Sequence, residues 1–118
     1  MTNEQRAEQL IKLYGFDFEN ISKTDIINLI EQELTDFQQG SSEYIRLLCG
    51  YLYCIGGESD AALIEKAKYG INFDVGCMID SEWIDSLKGA ENENTRSRSE
   101  IINTFIDYYK DFESDDEF

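Results

Sequence analysis

EYIRLLCGYLYCI, Glu43 to Ile55, is the stretch on which the fold turns. Tyr44, Ile45, Leu47, Leu48, Cys49, Tyr51, Leu52, Tyr53, Cys54 and Ile55 leave it almost no polar face. A helix that is apolar all round belongs in the middle of a fold. Gly50, in its interior, costs roughly 1 kcal/mol relative to alanine. A close crossing with another helix would explain a glycine there.

On the C-terminal side, Gly56-Gly57 breaks this helix and Ser59 or Asp60 restarts the chain. Ala61, Leu63, Ile64 and Ala67 form the next packing face, which ends at Gly70. The two segments make a helix hairpin over residues 43–69. An irregular connector is expected at residues 71–80, then a short helix at residues 81–88 and a polar loop, GAENENTRSRS. The last helix is expected over residues 97–112, with Ile101, Ile102, Phe105, Ile106, Tyr109 and Phe112 inward.

On the N-terminal side, Thr2 and Gln5 have capping-box spacing, and Gly15 suggests a stop. FDFENIS is a connector. Ser22 or Thr24 caps a second helix with Ile26, Ile27, Ile30, Leu34 and Phe37 as its stripe, ending at Gly40. The chain contains no proline. The expected fold is therefore all-α, a single compact domain of about six helices over residues 1–112 around the central hairpin. Residues 113–118, ESDDEF, are expected to be an acidic mobile tail.

Composition narrows the function. Hydrophobic residues are 42% of 118, enough for a core and unlike a disordered chain. There are 25 Asp plus Glu against 10 Lys plus Arg, a formal net charge of -15. Such a surface repels nucleic-acid phosphates and anionic membranes. It favours a basic protein partner, although solubility alone also accounts for acidity. The N-terminal residues show no secretory signal, and no apolar run has the roughly 20 residues of a membrane span. Three cysteines, an odd number, suit free thiols in a reducing cytoplasm.

Catalytic and metal chemistry finds little support. The chain has no histidine, which removes the commonest general base and transition-metal ligand. Cys49 and Cys54 are five apart on a helix and point about 140° from one another, so they cannot share one ion. They read as buried small hydrophobes. Cys77 lies between Asp74 and Asp80, where two carboxylates oppose thiolate formation; VGCMI reads as apolar residues turned under the core. Gly56-Gly57 lacks the frame and lysine of a phosphate loop, and no calcium-loop pattern occurs. No enzyme, metal or cofactor is expected.

The candidate partner-binding residues form two sets. Asp74, Asp80, Glu82 and Asp85 gather carboxylates around Trp83, the only tryptophan. Asp80 also reads as a helix N-cap, with Glu82 favourably placed in the first turn. Trp83 has two roles open to it, core residue or binding anchor. The second set is Asp111, Glu113, Asp115, Asp116 and Glu117, at and beyond the last helix's C-terminus. There negative charge opposes the helix dipole, so these acids do not serve that helix. Arg96 and Arg98 form the one basic cluster and read as a solvated loop.

Residues 47–80, LLCGYLYCIGGESDAALIEKAKYGINFDVGCMID, combine an apolar helix, a glycine-centred turn, DAALIEKAK, NFD and a GxxID turn. This pattern resembles small, acidic, all-helical bacterial immunity proteins of toxin systems, including those of contact-dependent growth inhibition. The resemblance implies a non-enzymatic cytoplasmic protein that binds one toxin domain and blocks it. It carries no binding residues with it. Nuclease toxins bind nucleic acid and are usually basic at their active face, which an acidic inhibitor can cover. The competing class is a helical scaffold or adaptor with no toxin partner. The genetic neighbourhood separates the two, because an upstream toxin gene favours immunity.

Overall fold

The computed structural model describes residues 1–89 and 96–113. All regular structure among them is helical. Seven α-helices follow in order: α1 (Asn3–Tyr14), α2 (Lys23–Thr35), α3 (Glu43–Ile55), α4 (Ala61–Gly70), α5 (Phe73–Met78), α6 (Ser81–Leu87) and α7 (Arg98–Tyr109). Single 3-10 turns at Phe18–Asn20 and Glu58–Asp60 precede α2 and α4.

α3 is the axis of the fold, as its composition requires. Every residue from Glu43 to Tyr53 is buried. α1, α2, α4, α5 and α6 all pack on it. Removing a Leu or Ile side chain from water contributes about 1.5–3 kcal/mol, so Ile45, Leu47, Leu48 and Leu52, at most 1% exposed, are its main anchors.

Gly50 is where α7 crosses. A Cβ there would lie 2.2 Å from one Phe105 ring carbon and 2.6 Å from the next. The Phe105 ring meets Tyr109, Tyr51, Trp83 and Phe16 at centroid distances of 5.1, 5.7, 6.1 and 6.3 Å. Five rings thus fill the space that one absent methyl group opens.

The helix ends follow local chemistry. The Thr2 hydroxyl accepts from Gln5 N at 3.1 Å, while the Gln5 side chain accepts from Thr2 N at 2.9 Å. Gly15 ends α1 at φ 57°, a conformation that favours glycine, and its carbonyl accepts the Tyr51 hydroxyl at 2.8 Å. Ser22 and Ser97 cap α2 and α7.

Four expectations are corrected. The connector at residues 71–80 contains α5, capped by the Asn72 side chain on Val75 N at 2.9 Å. The Lys68 ammonium on α4 donates to the Gly76 and Ile79 carbonyls, closing the far end of that short helix. Second, α2 stops at Thr35 rather than Gly40, with Asp36 out of helical geometry at φ -148° and ψ 79°. Third, Cys77 is exposed rather than under the core. Val75 and Ile79 face inward, and Cys77, two residues after Val75, sits about 200° round the helix from it. Fourth, Arg98, read as solvated, opens α7 within the expected last helix and is bonded to the end of α3. Residues 90–95 of the expected polar loop and the tail from residue 114 lie outside the described residues.

Candidate functional site

Ser42, Glu43 and Arg46 open α3 and organise a polar network that joins four helices. Arg46 Nη1 donates to the Tyr109 hydroxyl at 2.9 Å, and that hydroxyl donates to Glu43 Oε2 at 3.0 Å. The Tyr108 hydroxyl donates to Glu43 Oε1 at 2.7 Å. Arg46 Nε donates to the Met78 carbonyl at 2.9 Å, and Nη2 reaches Asp80 Oδ2 at 3.4 Å. The guanidinium lies 4.3 Å from the Tyr108 ring centre and 5.1 Å from that of Trp83.

Glu43 and Arg46 are each only 9% exposed. A buried charge is costly unless its hydrogen bonds are made, and here the two charges share the Tyr109 hydroxyl. Burial pushes the Tyr109 pKa well above its ordinary value, with Arg46 opposing. Burial and the Glu43 carboxylate raise that of Tyr108. Both phenols therefore stay protonated and remain donors at neutral pH.

The first candidate set lies around this network. The Asp74 carboxylate accepts the Ser42 hydroxyl at 2.9 Å and is exposed. Asp80 occupies the N-cap position of α6 but makes no capping bond, because its carboxylate turns to Arg46. The capping role expected for it is corrected on that ground. Glu82 is paired with Arg96, which also donates to the Thr104 hydroxyl at 2.8 Å. Asp85 is exposed. Trp83 is 2% exposed and takes the core role, stacked on Tyr53 at 6.3 Å and 19°.

Of the second set, Asp111 and Glu113 are exposed beyond α7; Asp115, Asp116 and Glu117 lie outside the described residues. The two arginines are not merely solvated. Arg96 ties α6 to α7 through Glu82 and Thr104. Arg98 donates to the carbonyls of Tyr53, Cys54 and Gly56 at 2.9, 3.2 and 3.2 Å, satisfying groups that the end of α3 leaves open.

Three exposed rings were not singled out from the sequence. Phe73, Tyr69 and Tyr108 are 87%, 74% and 47% exposed, and they are the only exposed aromatics among the described residues. The signal for Phe73 was present. It sits two residues before Val75 and four before Cys77, so it shares the outward side of α5 with Cys77.

Burial pushes the Cys49 and Cys54 thiols up to about 12, far from reactive thiolates. No group of three metal-ligating side chains occurs among the described residues. A depression of about 660 Å³ on α2, by Glu31, Glu33 and Asp36, is open and lies away from the network. No helix among the described residues is long and apolar enough to cross a membrane. Comparison with family models, curated proteins and solved structures finds no match to this chain.

Proposed function

We propose that the protein is an immunity protein. It binds a cognate bacterial toxin domain, a basic nuclease, and neutralises it by covering the active face. The observation that carries this reading is the stretch 69–87. It holds Asp74, Asp80, Glu82 and Asp85, has no lysine or arginine, and displays Tyr69 and Phe73 to solvent. Carboxylates beside exposed rings suit a cationic protein surface and repel nucleic acid itself. The resemblance of residues 47–80 to immunity proteins points the same way.

The two acidic sets have separate jobs in this reading. Asp74, Asp80 and Asp85 meet the toxin, with Glu82 at the edge through its pair with Arg96 and Trp83 supporting the face from beneath. Asp111, Glu113, Asp115, Asp116 and Glu117 add long-range attraction. An interface of about 1,600 Å² engages only part of this surface. The protein acts in the cytoplasm, where the toxin's nucleic-acid substrate lies.

The test is charge reversal of each set, followed by association kinetics against the product of the neighbouring toxin gene at low and high salt. The expected result is association slowed roughly tenfold or more at low salt, with the difference shrinking at high salt. Unchanged rates for both sets would reject charge steering.

A further inference from the structure

The three exposed rings are not scattered. Tyr69 ends α4, Phe73 begins α5 and Tyr108 lies on α7. Two of them connect to the start of α3, Tyr108 by a direct hydrogen bond and Phe73 through its neighbour Asp74. Asp74, next to Phe73, holds Ser42; Ser42 adjoins Glu43; Glu43 holds Tyr108. Arg46 lies against the Tyr108 ring and reaches Asp80. The exposed Asp74, Asp80 and Tyr108 are thus tied to one another through buried Ser42, Glu43 and Arg46, and exposed Phe73 adjoins Asp74 in the chain.

The cations near these residues are already engaged. Arg46 is 9% exposed and committed to Tyr109, Met78 and Asp80. Lys68 is bound to the carbonyls of Gly76 and Ile79, and Lys110 pairs with Asp107 at 3.3 Å. Asp74 meets a neutral hydroxyl and keeps its charge uncompensated.

Within the molecule both kinds of cation stand over rings: Arg6 lies 3.9 Å from the Tyr44 ring centre, Arg46 4.3 Å from that of Tyr108, Arg98 4.9 Å from that of Tyr53 and the Lys68 ammonium, farther off, 5.6 Å from that of Tyr69. Among the described residues no cation stands over the Phe73 ring, and nearly half of Tyr108 is open. A planar guanidinium can stack on a ring and bond a carboxylate at its edge; a compact ammonium does the first less well.

We infer that the face formed by Phe73, Asp74, Asp80 and Tyr108 receives arginine side chains of a basic protein partner. The rings are the stacking platforms and the carboxylates the ion-pair ends. The inference rests on the proposed toxin binding only for the partner's identity. A second copy of this chain is disfavoured, because its charge of -15 would set acid against acid.

The experiment is titration of the isotope-labelled full chain with hexa-arginine and, separately, hexa-lysine peptide, read by amide chemical shifts. The largest shifts are expected at Phe73, Asp74, Asp80 and Tyr108, with hexa-arginine the tighter ligand. Phe73→Ala should weaken hexa-arginine roughly two- to fivefold. Asp74→Asn should weaken both peptides, and Glu31→Gln on α2 neither. Because Phe73 is exposed, the fold should survive its loss, which circular dichroism checks. Shifts spread evenly over the acidic surface or centred on α2, or equal affinity for the two peptides, would overturn the inference. So would a dimer that Phe73→Ala dissociates. Mapping to this face without toxin binding would reject the immunity reading and leave the arginine face standing. Toxin binding with a dissociation rate unmoved by Phe73→Ala and Asp74→Asn would do the opposite.

Discussion

Replacing Gly50 by alanine sets two effects of known size against each other. Helix propensity favours alanine by about 1 kcal/mol. Packing opposes it, because the new methyl would sit 2.2 and 2.6 Å from Phe105 ring carbons, where carbon atoms ordinarily stop at about 3.5–4.0 Å. The ring would have to retreat by roughly 1 Å or more. Tyr51, Trp83, Tyr109 and Phe16 surround it, so there is little room for that movement. Overpacking a well-filled core costs about 1–3 kcal/mol, and this site belongs at the upper end. The balance is a loss of about 2 kcal/mol, which should lower the urea midpoint by roughly 1 M without a change in slope. A double-mutant cycle isolates the contact. Phe105→Leu should cost less in the Gly50→Ala background than alone, by about 1–2 kcal/mol. A Gly50→Ala protein more stable than its parent, or an additive cycle, would refute the crossing.

Two further outcomes follow from the buried phenols and thiols. Burial raises Cys49 and Cys54 to about 12 and lifts Tyr51, Tyr53 and Tyr109. The unfolded chain therefore releases these protons first. Stability should hold below about pH 8 and fall as pH rises through about 9 to 12; a urea midpoint constant to pH 11 would contradict it. Cys77 is exposed, Cys49 is buried and Cys54 is half-buried. A thiol reagent at neutral pH should therefore modify Cys77 alone quickly in the folded protein and all three residues in denaturant. Rapid modification of Cys49 would contradict the core placement.

The sequence was most legible where one helix could be read from its own residues. α3 has the bounds its composition suggested, and Gly50 was legible as a crossing point because a glycine in a buried helix needs a reason. α5 was not legible. Six residues with one buried side chain show no periodicity, and the helix is held by Asn72 and by Lys68 from another element. The end of α2 was misread for a similar reason. Phe37 does pack against the core, but the chain has left the helix before it gets there.

The candidate site was half legible. The acidic residues around Trp83 were visible as a cluster, and Asp74 and Asp80 both bond to residues at the start of α3. Their partners Ser42 and Arg46 were not, because they lie 32 and 34 residues away in sequence. Arg46 in particular was lost in an apolar helix, where its snorkelling guanidinium has no local pattern. Trp83 could be core or anchor on sequence grounds, and only the placement of α6 against Tyr53 and Phe105 decides for the core.

The proposed function is neutralisation of a toxin by occupying its active face. The most direct measurement is to purify any toxin domain encoded beside this chain and titrate its nuclease activity with this protein. We expect activity to fall linearly and vanish at one equivalent, with Phe73→Ala and Asp74→Asn shifting the curve to higher concentration. Full toxin activity in the presence of a large excess of the folded protein would contradict the claim.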